Sequence, residues 1–428
     1  MRRPLPVAAV LALALVSAAV SSAPGRAAPA RAAARAHPIA GLIRDVPTGT
    51  RIRPPTVAGT ANLAYGGGPV LHSNRTHVIF WQPSGSGLGF DATYEALIET
   101  FLGRVAADSH KTTNPYGLSG QYRDNQGPAV YASTYGSAVT DADPLPPAPY
   151  ACAEPAGTGP GWPVCLTDAQ LQAEVDHVVT ADQLPNGVGD VYFLVLPQGF
   201  GSCVSSGPGN CALGGSGTGY CGYHSQTALG VLYAVIPYNA VPGHCQSDNP
   251  RPNGSSADPT ISTISHEHNE MVTDPESDAW INPDGNEDGD LCITNFGPTL
   301  AGNGSDAYNE VIDGGHYYLQ EEWSNENRAC QPRARPDRLW FQTPVHRQAR
   351  RPLRFTAHAS MPYGSIIAYN WYYGDGATGH GRVATHAYRR PGSYRLVLRT
   401  TDSAGNWAYD AVTIGISRPG TRSPTKPG

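Results

Sequence analysis

Apolar and polar positions along the chain fall into three textures. The first is a run from Leu5 to Val20 that is almost continuously apolar, follows Arg2 and Arg3, and ends in small residues. That order predicts a secretory signal peptide over residues 1–30, with cleavage between Ser21 and Ala30. Residues 31–59 are rich in Ala, Arg and Pro and have no period, so they read as a disordered linker or pro-segment.

The second texture begins near residue 60. Residues 76–82, 190–196 and 231–236 are short, continuous apolar runs with β-branched and aromatic members, which predicts buried strands. Tyr94, Leu97, Phe101 and Val105 recur at helical spacing behind Asp91, a good N-cap. Leu171, Val175 and Val178 do the same behind Thr167. Strands mixed with helices predict an α+β or α/β domain.

A further helix is predicted over the segment from Asp258 to Pro275. Asp258 serves as N-cap, Pro259 suits the first turn, and Pro275 stops the helix. Ile261, Ile264, His268 and Met271 form one stripe, the mark of a packed face.

The third texture starts after a Pro- and Arg-rich linker at residues 331–337. Residues 367–372, 382–388, 393–400 and 409–415 are short alternating runs with Gly-Asp-Gly and Pro-Gly turns between them, a β-sandwich pattern. The run Tyr369-Asn-Trp-Tyr-Tyr-Gly-Asp-Gly376, with His386-Ala-Tyr388, Pro391-Gly-Ser-Tyr394 and Asp402-Ser-Ala-Gly405, resembles a PKD domain over residues 338–417. The resemblance implies an immunoglobulin-like spacer or binding module without catalysis. Trp371 is expected in its core.

Composition changes this picture in two respects. The 428-residue chain has a net charge of -6, but residues 60–335 carry 30 acidic and 8 basic residues, while both flanks are basic. An acidic body argues against nucleic acid as its partner. No later apolar run has transmembrane length. All eight cysteines (Cys152, Cys165, Cys203, Cys211, Cys221, Cys245, Cys292 and Cys330) lie in that body. An even count in an exported chain predicts disulfides, with the near neighbours Cys152–Cys165 and Cys292–Cys330 favoured.

The chemistry concentrates in the helix at 258–275, which carries His-Glu-x-x-Glu. His266 and Glu270, four apart, project from one face and can grip one metal ion, while Glu267 flanks that face as a general base. A carboxylate stands where the metalloprotease motif has its second His, and zinc accepts it. His268 lies about 200° around the helix from His266 and is not expected to ligate. The third ligand is expected at Glu287 or Asp290, 21 and 24 residues beyond His266. The bland alternative is a solvated acidic helix. Asp284, Asn286 and Asp288 also match the start of a calcium loop, although Asn295 stands where its closing Glu belongs.

Ser265-His-Glu-His-Asn-Glu270, Thr273-Asp-Pro275, Ala279-Trp280, Glu287 with Gly289-Asp-Leu-Cys292, and Tyr318-Leu-Gln320 through Trp323-Ser-Asn325 to Cys330 resemble bacterial relatives of the Exordium (phosphate-induced) family. Phe101-Leu102, Asp190-Val-Tyr and Tyr220-Cys-Gly-Tyr-His224 fit its layout more loosely. This resemblance implies a zincin-like helix and a metal site at His266 and Glu270, with Glu267 as base.

The expected organisation is a zincin-like α+β domain with disulfides over 60–332, an all-β PKD sandwich over 333–417 and a disordered tail over 418–428. The expected function is a secreted zinc-dependent hydrolase, a peptidase acting on extracellular protein or peptide. Tyr317, Tyr318 or His316 would stabilise its oxyanion. The basic PKD module would suit cell-wall or other polyanionic polymers. The alternative is a non-catalytic extracellular or cell-surface binding protein of the Exordium kind with a structural metal.

Overall fold

A computed structural model describes residues 39–41, 43, 62–148, 150, 162–204, 211–212, 219–335, 337–361, 365–403 and 405–419. The expected signal peptide, most of the 31–59 segment, Cys152 and nearly all of the 418–428 tail lie outside the described residues.

The first region is mixed α/β and is built from β1 (Asn74–Trp81), α1 (Ala92–Ala107), β2 (Ser133–Asp141), α2 (Asp168–Ala181), β3 (Asp190–Val195), β4 (Tyr223–Gln226), β5 (Leu232–Ile236) and α3 (Ala257–Thr273). The strands form one sheet in the order β2-β1-β3-β5-β4. Every neighbouring pair is parallel except β4 with β5, so an antiparallel strand closes one edge.

Side chains of β1 alternate between the two faces. Ile79 and Trp81 join Leu171, Val175 and Val178 of α2 on one side. Val78 and Phe80 join Ile98 and Phe101 of α1 and Ile261, Ile264 and Met271 of α3 on the other. Layers on both faces explain the continuous apolar runs, since a strand covered twice has no solvent side. Each such large side chain contributes roughly 1.5–3 kcal/mol by leaving water.

The helix starts follow local rules. Asp91 accepts from the backbone N–H groups of Thr93 and Tyr94 at 3.0 and 2.9 Å. Thr167 and Gln170 form a capping box on α2. On α3 the N-cap is Ser256 rather than Asp258. Asp258 sits in the first turn, where its carboxylate accepts from Ser255 N at 3.0 Å and Asn253 Nδ2 at 2.7 Å. It stabilises the helix start from inside, where the macrodipole favours negative charge.

The C-terminal region comprises β6 (Asp337–Gln342), β7 (Leu353–Ser360), β8 (Ile366–Tyr372), β9 (Thr378–His380), β10 (Val383–His386), β11 (Gly392–Asp402) and β12 (Trp407–Ile416). They form two antiparallel sheets, β6-β7-β10 and β9-β8-β11-β12. Trp371 is fully buried between them with Phe355, Leu396 and Leu398, and its indole donates to Gly381 O at 2.9 Å. It is core packing, as expected.

Among the described residues, disulfides join Cys203 to Cys211, Cys221 to Cys245 and Cys292 to Cys330. The last is a favoured pair from the sequence; the other favoured pair involves residue 152, outside the described residues. Among the described residues no helix is long and apolar enough to cross a membrane.

Candidate metal centre

Every residue of α3 except Ser262 is buried. A helix with this many polar residues ordinarily keeps one face in water. Here the apolar face packs on the sheet, with His268 lying edge-on to Tyr116 and Phe193 and its Nε2 donating to Asn74 Oδ1 at 2.9 Å. The polar face is covered in turn by β4, by the 287–290 turn and by the segment at Gln320 to Glu322. The solvated acidic helix is therefore not what forms.

On that covered face four elements bring their side chains together. His266 Nε2 lies 3.0 Å from Glu270 Oε1 and 3.9 Å from Asp290 Oδ1. His224, from β4, places Nδ1 at 3.1 Å from Glu267 Oε2 and 3.7 Å from Glu270 Oε2, and its Nε2 at 3.8 Å from Glu287 Oε2. Two donor triads result, His266–Glu270–Asp290 and His224–Glu267–Glu270, each with ligand atoms within 4.8 Å of one another. They share Glu270.

Local geometry makes the approach feasible. A Cβ on Gly289 would stand 2.7 Å from His266 Nδ1 and 2.9 Å from Glu270 Oε1. One on Gly222 would stand 2.8 Å from Glu267 Oε1. Glycine at both positions lets the turn and β4 close directly onto the helix. Asp290 N donates to Glu270 Oε1 at 3.0 Å, and Asp290 Oδ2 accepts from Glu287 N at 3.1 Å, so the turn holds its own carboxylate in place. Gln320 sets its amide nitrogen 3.1 Å and its amide oxygen 3.4 Å from His266 Nδ1, and its amide nitrogen donates to Gly289 O at 2.7 Å, so this side chain ties the His266 ring to the 287–290 turn.

The centre is electrostatically incomplete as protein alone. His224 Nε2, His266 Nε2, Glu267 Oε1, Glu270 Oε2 and both oxygens of Glu287 are buried without a hydrogen-bond partner. Each such group costs about 1–3 kcal/mol. Burial drives His224 down to about 3 and lowers His266, so both rings are neutral, as ligation requires. Burial, with Glu270 and Asp290 adding repulsion, pushes Glu267 well above the usual carboxylate range. Burial followed by neighbouring carboxylates does the same to Glu270 and Glu287. A bound divalent cation would reverse those costs, so the residues present fit a metal.

The remaining sequence expectations are placed as follows. Asp290 belongs to the His266 triad, and Glu287 approaches from the His224 side. Tyr318 is half-buried, stacks on Phe296 and lines a small cleft of about 30 Å³ beside His266 and Gln320. Tyr317 points into the core against Phe101, and His316 stacks on Tyr308 at the surface, so the cleft gathers neither. Of the calcium-loop residues, Asp284 is exposed, Asn286 is half-buried, and Asp288 is buried where it accepts from Thr273 Oγ1 at 3.2 Å. His224 was not assigned a site role from the sequence; only Tyr220-Cys-Gly-Tyr-His224 within the family resemblance pointed near it.

Two other clusters compete. Cys165, Cys203 and Cys211 lie together, but Cys203 and Cys211 are a disulfide. Asp141, Asp143 and Glu174 converge at the C-terminal end of β2, where His177 Nε2 lies 2.9 Å from Asp143 Oδ2.

Known proteins match at the C-terminal region. The PKD1 domain of the metalloprotease PrtV from Vibrio cholerae is 26% identical over 18% of this chain and 94% of its own, with a TM-score of 0.17. The PKD1 domain of Epp from Vibrio anguillarum is 20% identical over 20% and 96%, with a TM-score of 0.18. A PKD domain of an M14-like peptidase from a Thermoplasmatales archaeon is 16% identical over 19% and 95%, with a TM-score of 0.18. The family model described as PKD domain matches residues 334–414, and that region of the chain is a PKD domain.

Proposed function

We propose that the chain is a secreted, zinc-dependent hydrolase of zincin-like type, a peptidase, with the PKD domain as a spacer or attachment module. The observation that carries this reading is the convergence of His266, Glu270 and Asp290 around unpartnered buried ligand atoms, with Glu267 beside them. His266 Nε2, Glu270 and Asp290 would hold the ion. Zinc, when bound, supplies Lewis acidity toward a carbonyl and acidifies its water.

The protein groups would do the rest. Glu267 would take a proton from the attacking water and return it to the leaving amine. A carboxyl whose affinity for protons is raised by burial suits that exchange near neutral pH. His224, 3.1 Å away, would hold Glu267 toward the shared face. Tyr318, which lines the cleft, would donate to a developing oxyanion.

One observation favours the second reading, a non-catalytic extracellular binding protein with a structural metal. His224, Glu267 and Glu270 have no solvent exposure at all. Closed metal sites are usually structural. Metal analysis of the purified protein, with casein cleavage measured with and without chelator, separates the two. Zinc with chelator-sensitive cleavage supports the hydrolase; zinc without turnover, in wild type and Glu267→Gln alike, supports the structural site.

A further inference from the structure

We infer that residues 39–41 and 43 are an intramolecular plug on the centre. This goes beyond the hydrolase reading and does not rest on it.

β4 is the edge strand of the sheet and carries His224. The outer backbone groups of His224, and those of Cys221 and Gly222 just before the strand, are taken by the N-terminal segment. Ala40 N donates to His224 O and His224 N to Ala40 O, both at 3.0 Å. Ile43 N donates to Gly222 O at 3.2 Å, and Cys221 N to Ile43 O at 2.8 Å. This is strand addition, a mode that reads any extended chain through its backbone. The segment also reaches the chemistry. Gly41, at φ +58°, lies so close that a Cβ there would stand 2.2 Å from Glu270 Oε2 and 2.4 Å from His224 Nδ1. Ile43 is 5% exposed and lines the cleft beside His266 and Tyr318. With the segment in place no substrate carbonyl can approach His224 or Glu270.

The energetics suit a removable plug. Four backbone hydrogen bonds, each of modest net strength, and one buried isoleucine make a small contact. Such a contact is held mainly because the chain tethers it at an effective concentration in the millimolar range. Arg44 and Arg51 follow the plug in sequence. Cleavage after either would turn a tethered contact into a bimolecular one and open the edge.

The test uses full-length protein, the full-length Gly41→Leu variant and a synthetic peptide of residues 37–46. Hydrogen exchange at the amides of Cys221 and His224 should accelerate at least ~10-fold in Gly41→Leu, while amides of β1 and β3 stay protected as a folding control. Added peptide should restore protection at those two amides. Zinc stripping by chelator and casein cleavage should both become faster in the variant. Unchanged exchange at Cys221 and His224, or no restoration by the peptide, overturns the plug. Faster exchange with unaltered zinc stripping overturns its closure of the centre. Faster stripping without casein cleavage keeps the plug and overturns the peptidase. A protein that binds no zinc overturns the metal centre, and the peptide arm still decides the plug.

Discussion

His224 Nδ1 stands 3.1 Å from Glu267 Oε2, with both side chains fully buried and 43 residues apart in the chain. The contact ties the sheet edge to the metal-centre helix. It also gives the general-base candidate a fixed partner, and the predictions below start from it.

His224→Ala should lower kcat about 10–100-fold while zinc content and KM stay near wild type, because Glu267 loses its positioning contact rather than the metal its ligands. His224→Asn, which can place an amide near the position of Nδ1, should recover part of the loss. Zinc lost along with activity in His224→Ala would make this residue a ligand instead.

Glu267→Gln preserves shape and removes the proposed base. We expect turnover to fall about 10²–10⁴-fold with zinc retained, measured by metal analysis and casein cleavage on the same sample. Equal cleavage by the variant and wild type would remove Glu267 from the mechanism.

Asp290→Ala should weaken zinc binding at least ~10-fold, because it removes one of the three proposed ligands, whereas Glu287→Gln should retain the ion. Competition with a chromogenic chelator measures both. The reverse order would move the third ligand to Glu287.

The Cys292–Cys330 bridge pins the turn that delivers Asp290. Replacing both cysteines by Ser should cost about 2–4 kcal/mol in stability and lower zinc retention together. Denaturant unfolding with parallel metal analysis tests the coupling; stability lost with zinc affinity intact would separate the bridge from the centre.

Glu310 is buried away from the centre with both oxygens unpartnered, and burial raises its carboxyl to about 8. Its folded-state pKa lies above the unfolded value, so its favourable contribution is complete below about pH 4.5 and is lost as pH rises through about 8. Glu310→Gln should therefore stabilise the protein at pH 8.5, on the order of 2 kcal/mol, and the gain should fade toward pH 4. A gain independent of pH would contradict the raised pKa.

Much of the architecture was legible because it follows from local rules. Periodicity located β1, β3, β5 and α1 to α3, and Asp91 and Thr167 marked two helix starts through their caps. β2 escaped, since an edge strand of small and polar residues, Ser133–Asp141, carries no continuous apolar signal. β6 and β7 of the PKD domain also escaped, although its repeated turn motifs identified the domain as a whole.

By itself the sequence determined that His266 and Glu270 share a helix face, because four residues make one turn and that relationship needs no other part of the chain. It also set Glu267 beside them and drew attention to the 284–290 turn. Only the tertiary structure decided that the polar face of α3 is buried, that Asp290 joins His266 and Glu270, and that His224 meets Glu267. Those contacts depend on the strand order that puts β4 at the sheet edge and on glycines at 222 and 289 that admit close approach. Local spacing fixes neither, because bringing distant residues together is settled by how whole layers pack.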